Sequence, residues 1–335
     1  KGVFPMPFWK RSSPEEQQRQ IQAQQEAEQS RQALEAGGLP LRAQRRLREE
    51  MEASHPLFTS DLSVNELLLT REQGYRPLSQ VMGSSIYHVG WQYTRQYSWG
   101  PHATELGTLS AAHQRAAVLA LGRLEQEAAL LRAHGVIGVR FSRRGYDWGA
   151  NMLEYIAVGT AIRLPDTPLP QRPFLSDLSG QEFWTLLQAG YYPLGVVTGY
   201  CSYYAGLGSN ITGQMRGWFG GGGVNQEITL FSQSLYDARH LAMQRLHDMA
   251  QRMQAFGVVG MHIDCDREII EYELERENSP TRYFLDLAIH FMAIGTAITA
   301  QRKEHTIPPP KPALTLTDLR PGRFGQEREL TLREE

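Results

Sequence analysis

The sequence predicts an α+β protein with two tandem β-α-β-β domains, each preceded by a short capped helix. An internal repeat is the first observation behind this prediction. Residues 60–78 read SDLSVNELLLTREQGYRPL, and residues 176–194 read SDLSGQEFWTLLQAGYYPL. Two shorter blocks recur in the same order, GVIGV with GVVGM (135–139 and 257–261) and VGTAI with IGTAI (158–162 and 294–298). Three matches in one order indicate a duplicated domain.

The composition and charge of the chain exclude several classes of protein. The chain has 335 residues, of which 41% are hydrophobic and 21% are charged, so two domains can each bury a core. A net charge of −2 provides no basic field for nucleic acid or an anionic membrane surface. No apolar run is long enough to span a bilayer, and two cysteines exclude a disulfide framework. We therefore expect a cytoplasmic protein without nucleic-acid partners.

Each copy begins with the same helix signals. Ser63–Glu66 and Ser179–Glu182 are capping boxes, in which the serine oxygen and the glutamate carboxylate satisfy amides of the first turn. Gly74 and Gly190 follow a few residues later, and glycine commonly ends a helix. A short helix is therefore predicted at the start of each copy.

A strand, a long helix and two further strands are predicted after each short helix. Apolar residues at steps of three and four predict long helices over residues 117–131 and 235–256. The predicted strands are 81–97, 136–142 and 152–163 in the first copy, and 196–204, 258–271 and 282–299 in the second.

Two arms are predicted outside the copies. Residues 1–56 form an N-terminal arm with a charged helix from Ser13, and residues 301–335 form a Pro-rich and then charged tail that is extended or disordered. Either arm is a candidate contact for a protein partner. The copies span 57–164 and 173–300, with a Pro-rich linker at 165–172. In the tail, Thr-Asp-Leu at 317–319 echoes the start of each copy.

The second copy carries motifs of a known family. They are PLGVVTG (193–199), GWFGGGG (217–223), LYDAR (235–239), FGVVG (256–260) and IGTA (294–297). With these motifs the second copy resembles the YbjQ-like family, small bacterial proteins labelled heavy-metal-binding. The first copy looks like a diverged copy, because YSWGPH (97–102) replaces the glycine run.

The resemblance implies a dodecin- or YbjQ-like α+β unit whose strands pair between subunits in a closed ring. The ring is pentameric in the family, which implies a homo-oligomer of five copies or a multiple of five. No catalytic residues are carried over from the family.

One strand of the second copy holds candidate metal ligands. Alternation along the strand places His262, Asp264 and Asp266 on one face, and Cys265 on the other. One imidazole and two carboxylates suit a divalent transition metal, but a structural tetrahedral site needs a fourth ligand, such as Cys201 or His290. A solvated polar face and a subunit contact are the alternatives.

The subunit contact has support from charge. Aligning the copies sets Arg140 opposite His262, and Arg144 opposite Asp266. Complementary charges at equivalent positions would make a first repeat pair with a second repeat of a neighbouring subunit and not with another first repeat. Drift on two exposed strand faces is the alternative. Candidate aromatic interface residues are Trp91 and Tyr93 in the first copy, and Trp218 and Phe219 in the second.

The glycine loop at Gly220–Gly223 has no lysine after it, so it does not predict a nucleotide site. The sequence also contains no nucleophile elbow and no His-Glu-x-x-His motif. These observations predict a non-enzymatic scaffold without a cofactor, which assembles with itself. The alternative function is a metal-binding or metal-sensing module using the His262 face.

Overall fold

The computed structural model describes residues 14–54, 57–89, 100–145, 152–212, 227–276, 279–300, 315–317 and 327–329. These residues contain seven helices: α1 Pro14–Glu35, α2 Leu41–Glu52, α3 Val64–Glu72, α4 Gly107–Leu130, α5 Gly180–Gln188, α6 208–212 and α7 Thr229–Arg252. They also contain ten strands: β1 Arg76–His88, β2 His102–Glu105, β3 Gly135–Gly145, β4 Met152–Arg163, β5 Phe174–Leu175, β6 Tyr191–Gly206, β7 Gly257–Arg276, β8 Ser279–Ala300, β9 Thr315–Thr317 and β10 Glu327–Glu329.

Two four-stranded sheets form the body of the molecule. The first sheet has the order β1-β4-β3-β5, and the second has the order β2-β6-β8-β7. Helix α4 packs against both sheets, whereas α7 packs against β6 and β8 of the second sheet. The mixed α+β fold predicted from the sequence is confirmed.

The first sheet departs from a simple β-α-β-β unit. Strand β1 ends at His88, and residues 90–97 of the predicted strand lie outside the described residues. The chain then forms β2, which pairs antiparallel with β6 of the second sheet. A strand that precedes α4 therefore belongs to the other sheet, which ties the two sheets together.

Two glycines let the long helices approach their sheets. A Cβ atom added at Gly83 in β1 would lie 1.9 Å from the carbonyl oxygen of Ala120 in α4. A Cβ atom added at Gly199 in β6 would lie 1.9 Å from the carbonyl oxygen of Ala242 in α7. Only a residue without a side chain fits either position, so both sheets pack their helix in the same way.

The core lies on both sides of the second sheet. One side packs Cys201 and its neighbours against the alanine-rich face of α7. The other side packs Tyr200 and Met292 against α4 and against Tyr155 of the first sheet. Cys265 is half-buried against the α7 core, as the sequence predicts.

Both predicted capping boxes are present. Ser63 and Glu66 cap α3, and Ser179 and Glu182 cap α5, each with the reciprocal pair of hydrogen bonds. Gly74 and Gly190 follow the helices with φ of 77° and 76°, where a side chain would be strained.

The arms contain more regular structure than the sequence predicts. The charged N-terminal helix is α1, and a second helix, α2, buries Leu47 in the core of the first sheet. In the tail, β9 pairs with β10, where an extended or disordered segment is predicted. None of the described helices is long and apolar enough to cross a membrane.

Candidate functional site

A charged contact joins the two sheets. Arg143 of β3 has a side chain only 11% exposed, and its guanidinium forms ion pairs with Asp264, at 3.2 Å, and with Asp266, both on β7. The same guanidinium donates to the hydroxyl of Tyr200 at 3.4 Å. A buried cation of the first sheet is therefore neutralised by two carboxylates of the second.

A cluster of aromatic and polar side chains continues from Arg143. The imidazole of His113 in α4 is hydrogen-bonded to the hydroxyl of Tyr155 at 2.6 Å and stacks on Tyr200. On β8, His290 lies 3.1 Å from the hydroxyl of Tyr200 and 2.9 Å from that of Ser202. The cluster connects α4, the first sheet and the second sheet through hydrogen bonds and the stack of His113 on Tyr200.

Burial keeps this cluster uncharged apart from Arg143 and its carboxylates. Desolvation lowers the pKa of His113 to about 2, and the nearby Arg143 charge acts in the same direction. Desolvation also lowers the pKa of His290 to about 4. Burial raises the pKa of the Cys201 thiol to about 12, so this cysteine is not a ready nucleophile. The geometry favours a structural role for the cluster over acid–base or thiol chemistry.

Arg143 was missed by the sequence analysis, which chose Arg140 and Arg144. Arg140 forms an ion pair with Asp61 of its own sheet, and its side chain is 71% exposed. Arg144 is exposed. Strict alternation places Arg143 on the opposite face from both, and that face is the one covered by α4 and the second sheet.

The candidate ligand His262 interacts electrostatically with Asp177, which is not one of the predicted metal ligands. Burial raises the pKa of Asp177 to about 6, while a hydrogen bond from Thr296 and the charge of His262 act to lower it. Asp61 occupies the matching place beside Arg140 in the first sheet. His262 therefore corresponds to Arg140 in structure, as the alignment of the copies predicts.

The predicted metal ligands do not form a suitable donor set. Asp264 and Asp266 both accept from Arg143, and the charge of His262 acts on a third carboxylate, that of Asp177. Cys201 packs toward α7, and His290 lies in the polar cluster on the other side of the sheet. In the described part of the chain, no three His, Cys, Asp or Glu side chains are placed to hold a metal ion.

Strand β7 forms the open edge of the second sheet. It is the last strand in the order β2-β6-β8-β7, so its outer edge pairs with no described strand. Apolar side chains are exposed along it, with Met261 at 40%, Ile263 at 45% and Ile269 at 66%. Phe256, just before the strand, is 72% exposed. Such an edge is a ready site for pairing with another chain.

The remaining predicted site residues lie outside the described residues. They are the aromatic interface candidates Trp91, Tyr93, Trp218 and Phe219, and the glycine loop of Gly220, Gly221, Gly222 and Gly223.

Comparison with known proteins gives the family. The family described as "Putative heavy-metal-binding" (YbjQ_1) matches residues 191–301. Over 221 residues the chain is 40% identical to the encapsulin nanocompartment protein Rv1762c of Mycobacterium tuberculosis (strain ATCC 25618 / H37Rv), covering 64% of this chain and 80% of that protein. The chain therefore belongs to the same family as this mycobacterial protein, and its residues 191–301 form a YbjQ-like domain.

The YbjQ-like match covers β6, α7, β7 and β8, which make up most of the second sheet and the helix on its outer face. It confirms the resemblance that the motifs of the second copy indicate. No solved structure is significantly similar to the chain.

Proposed function

We propose that this YbjQ-like protein is a non-enzymatic scaffold that assembles with itself into a closed ring through strand pairing between copies. The open edge of β7 is the observation that carries the proposal. It presents unpaired backbone next to exposed apolar side chains, among them Met261 and Ile263. Proteins that remain monomeric protect such edges, because an open edge promotes association.

The relative supports an assembly role. Its name describes a protein of an encapsulin nanocompartment, and 80% of its length matches this chain. In the proposed function, the two sheets are tandem YbjQ-like domains, at 57–164 and 173–300, and the arms at 1–56 and 301–335 reach neighbouring copies or a protein partner. From the family resemblance, the expected number of copies is five or a multiple of five.

Equivalent contacts support the tandem arrangement. In α4, Arg123 donates to the carbonyl oxygen of Ser84 in β1 at 2.6 Å. In α7, Arg245 donates to the carbonyl oxygen of Tyr200 in β6, also at 2.6 Å. Each arginine lies three residues after the alanine that packs against Gly83 or Gly199, so one helix–sheet contact occurs twice.

A metal-binding or metal-sensing module is the second candidate, and the family description favours it. It would use His262, Asp264 and Asp266. The donor set is the weak point, because Arg143 already holds both carboxylates and a metal ion would have to displace it.

Native mass spectrometry of the purified chain, before and after treatment with a chelator, tests both candidates. We expect one discrete multimeric mass that survives chelation. A monomeric mass would refute the scaffold. About one metal ion per chain, lost on His262→Ala but kept in the control His240→Ala on α7, would establish the metal site instead.

A further inference from the structure

Two short segments lie on their sheets in the same way. We name them leader 1, residues 58–62, and leader 2, residues 174–178; they precede α3 and α5. The amide of Asp61 donates to the hydroxyl of Thr160 at 2.9 Å, and the amide of Asp177 donates to that of Thr296 at 3.0 Å. Each leader is thus anchored to the central strand that follows it in its own sheet.

Leader 2 makes a second set of contacts, to the edge of the first sheet. Its strand β5 runs parallel to β3, with Phe174 beside Gly135 and Leu175 beside Val136. Ser176 donates to the carbonyl oxygen of Val136 and accepts from the amide of Val139, both at 2.9 Å. Leader 2 therefore joins the second sheet to the open edge of the first.

In the described part of the chain, two segments equivalent to the halves of this junction have no such partner: leader 1 and the outer edge of β7. Among the described residues, no backbone-to-backbone hydrogen bond connects leader 1 to a strand, although the hydroxyl of Thr59 accepts from the amide of Gln80 in β1 at 3.0 Å. No such bond connects the outer edge of β7 to another described segment. Leader 1 is equivalent to leader 2, and β7 is equivalent to β3. Each chain thus contains one complete junction, between leader 2 and β3, and two halves without a described partner, leader 1 and the edge of β7.

Burial at the junction shows what each unmatched half lacks. Phe174 of leader 2 is 8% exposed, whereas Phe58 of leader 1 is 37% exposed. On the strands, Val139 of β3 is 3% exposed, whereas Met261 of β7 is 40% exposed. Phe58, whose ring is contacted on one face by the guanidinium of Arg71 at 5.2 Å, and Met261 are therefore more exposed than their equivalents in the complete junction.

The glycines that begin β3 and β7 give the most specific difference. A Cβ atom added at Gly135 would lie 2.4 Å from the ring of Phe174, so that ring lies directly on the glycine. A Cβ atom added at Gly257 would meet nothing within 4 Å. The position that would receive an aromatic ring is present at Gly257, but no ring of the described residues lies on it.

We propose that leader 1 of a second copy pairs in parallel with the start of β7, with Phe58 on Gly257, and repeats the junction between leader 2 and β3. The contact is head-to-tail, so it continues from copy to copy until a ring closes. The proposal rests on the proposed scaffold function and specifies which segments meet.

The tail of the same chain is the competing occupant, because residues 315–319 read TLTDL. It has threonine where both leaders have phenylalanine, so it offers no ring for Gly257. Its residues Thr315–Thr317 are already paired with Glu327–Glu329. Leader 1 has the phenylalanine and, among the described residues, no backbone-to-backbone pairing with a strand, and therefore fits the site better.

Cysteine cross-linking tests the pairing in the full chain. In the variant Phe58→Cys/Gly257→Cys, oxidation is expected to convert most of the protein into disulfide-linked multimers on a non-reducing gel. The two single variants, and the pair Phe58→Cys/Ile269→Cys further along the same edge, are the controls and should stay monomeric on the gel. They also report any background from Cys201 and Cys265.

A substitution test needs no oxidation. Gly257→Val adds a side chain where Phe58 would lie, and its Cβ atom would meet none of the described residues within 4 Å, so we expect a folded monomer by native mass spectrometry and circular dichroism. Glu271→Val, exposed on the same strand, is the matched control and should assemble normally.

The outcomes separate this proposal from the scaffold function. The leader pairing alone would be refuted if the wild-type chain is a multimer but Phe58→Cys/Gly257→Cys gives no cross-link and Gly257→Val still assembles. An intrachain disulfide in Leu316→Cys/Val258→Cys would assign the edge to the tail and also refute it. A monomeric wild-type chain would refute the scaffold function and the pairing together.

Discussion

The imidazole of His113 stacks on the ring of Tyr200, with centroids 3.8 Å apart and planes inclined by 13°. His113 belongs to α4, and Tyr200 belongs to the central part of the second sheet. The stack places an uncharged histidine at the junction of the two sheets, beside the guanidinium of Arg143. The packing of the two sheets therefore depends on polar side chains as well as on the apolar core.

Arg143 is expected to stabilise the fold more than its exposed neighbour. Arg143→Met removes a buried cation and leaves Asp264 and Asp266 without their partner. Since both carboxylates retain some exposure to water, we expect a loss of about 1–3 kcal/mol in the free energy of unfolding. Urea denaturation measures this loss, and Arg144→Met is the matched control with a change near zero. Equal losses in the two variants would contradict the assignment.

The two helix-contact glycines are expected to be intolerant of a methyl group. Gly83→Ala and Gly199→Ala each place Cβ against a helix carbonyl oxygen, so we expect a loss of about 3 kcal/mol or more, or failure to fold. Gly122→Ala is the control, because its Cβ would meet nothing within 4 Å and alanine favours a helix by about 1 kcal/mol. Thermal denaturation of the three variants makes the comparison. A stable Gly199→Ala variant would show that α7 packs less closely than described.

Acid is expected to destabilise the fold through the two buried histidines. Their pKa values are lowered to about 2 for His113 and about 4 for His290, from an ordinary 6.5. As the pH falls from about 6 to about 4, the unfolded chain binds two protons that the folded chain does not bind. Asp177 acts in the opposite direction, because its pKa is raised to about 6 and the folded chain keeps a proton that the unfolded chain has lost.

His290→Gln isolates one part of this pH dependence. The variant removes one proton from the difference between the unfolded and folded chains. Between about pH 4 and 6, its free energy of unfolding should therefore fall less steeply on acidification, by about 1.4 kcal/mol per pH unit relative to the wild type. Urea denaturation at several pH values gives the slope, with the exposed His240→Gln as the control. An unchanged slope would mean that His290 is not buried in its neutral form.

Glu66 is expected to contribute more than Glu182, although both complete a capping box. Glu66 accepts from the amide of Ser63 at 2.7 Å and also from the amide of Gly180 at 3.0 Å, so it connects α3 to the start of α5. Among the described residues, Glu182 accepts hydrogen bonds only from Ser179 of its own capping box. Glu66→Ala should cost about 2 kcal/mol and Glu182→Ala about 1 kcal/mol in the monomeric chain, measured by urea denaturation. The reverse order would contradict the bridging contact.

The local structure was predictable from short-range signals. Capping boxes, glycines with positive φ and periodic apolar residues act within a few residues of one another, and they locate α3, α5, α4 and α7 correctly. The repeat gave the equivalence of Arg140 and His262, because equivalent residues occupy equivalent positions on similar sheets.

The contacts between sheets were not predictable in the same way. Arg143 differs from Arg140 and Arg144 only in the face of β3 on which it lies, and its importance depends on which strand crosses that face. The position of β2 in the second sheet also depends on long-range pairing, which no local pattern encodes. Helix α2 has a strongly polar sequence. Its one buried residue, Leu47, is buried through its packing with α4, which the sequence of α2 does not indicate.

The junction formed by leader 2 inside each chain has a numerical consequence for any assembly. Every chain brings two sheets that are already joined, so in the proposed ring each added chain would contribute a pair of sheets. A closed ring then always contains an even number of sheets. Whole chains cannot supply a ring of five sheets, because each chain contributes two. Five chains would supply ten sheets. A fivefold axis would then relate whole chains, and the first and second sheets would alternate around the ring.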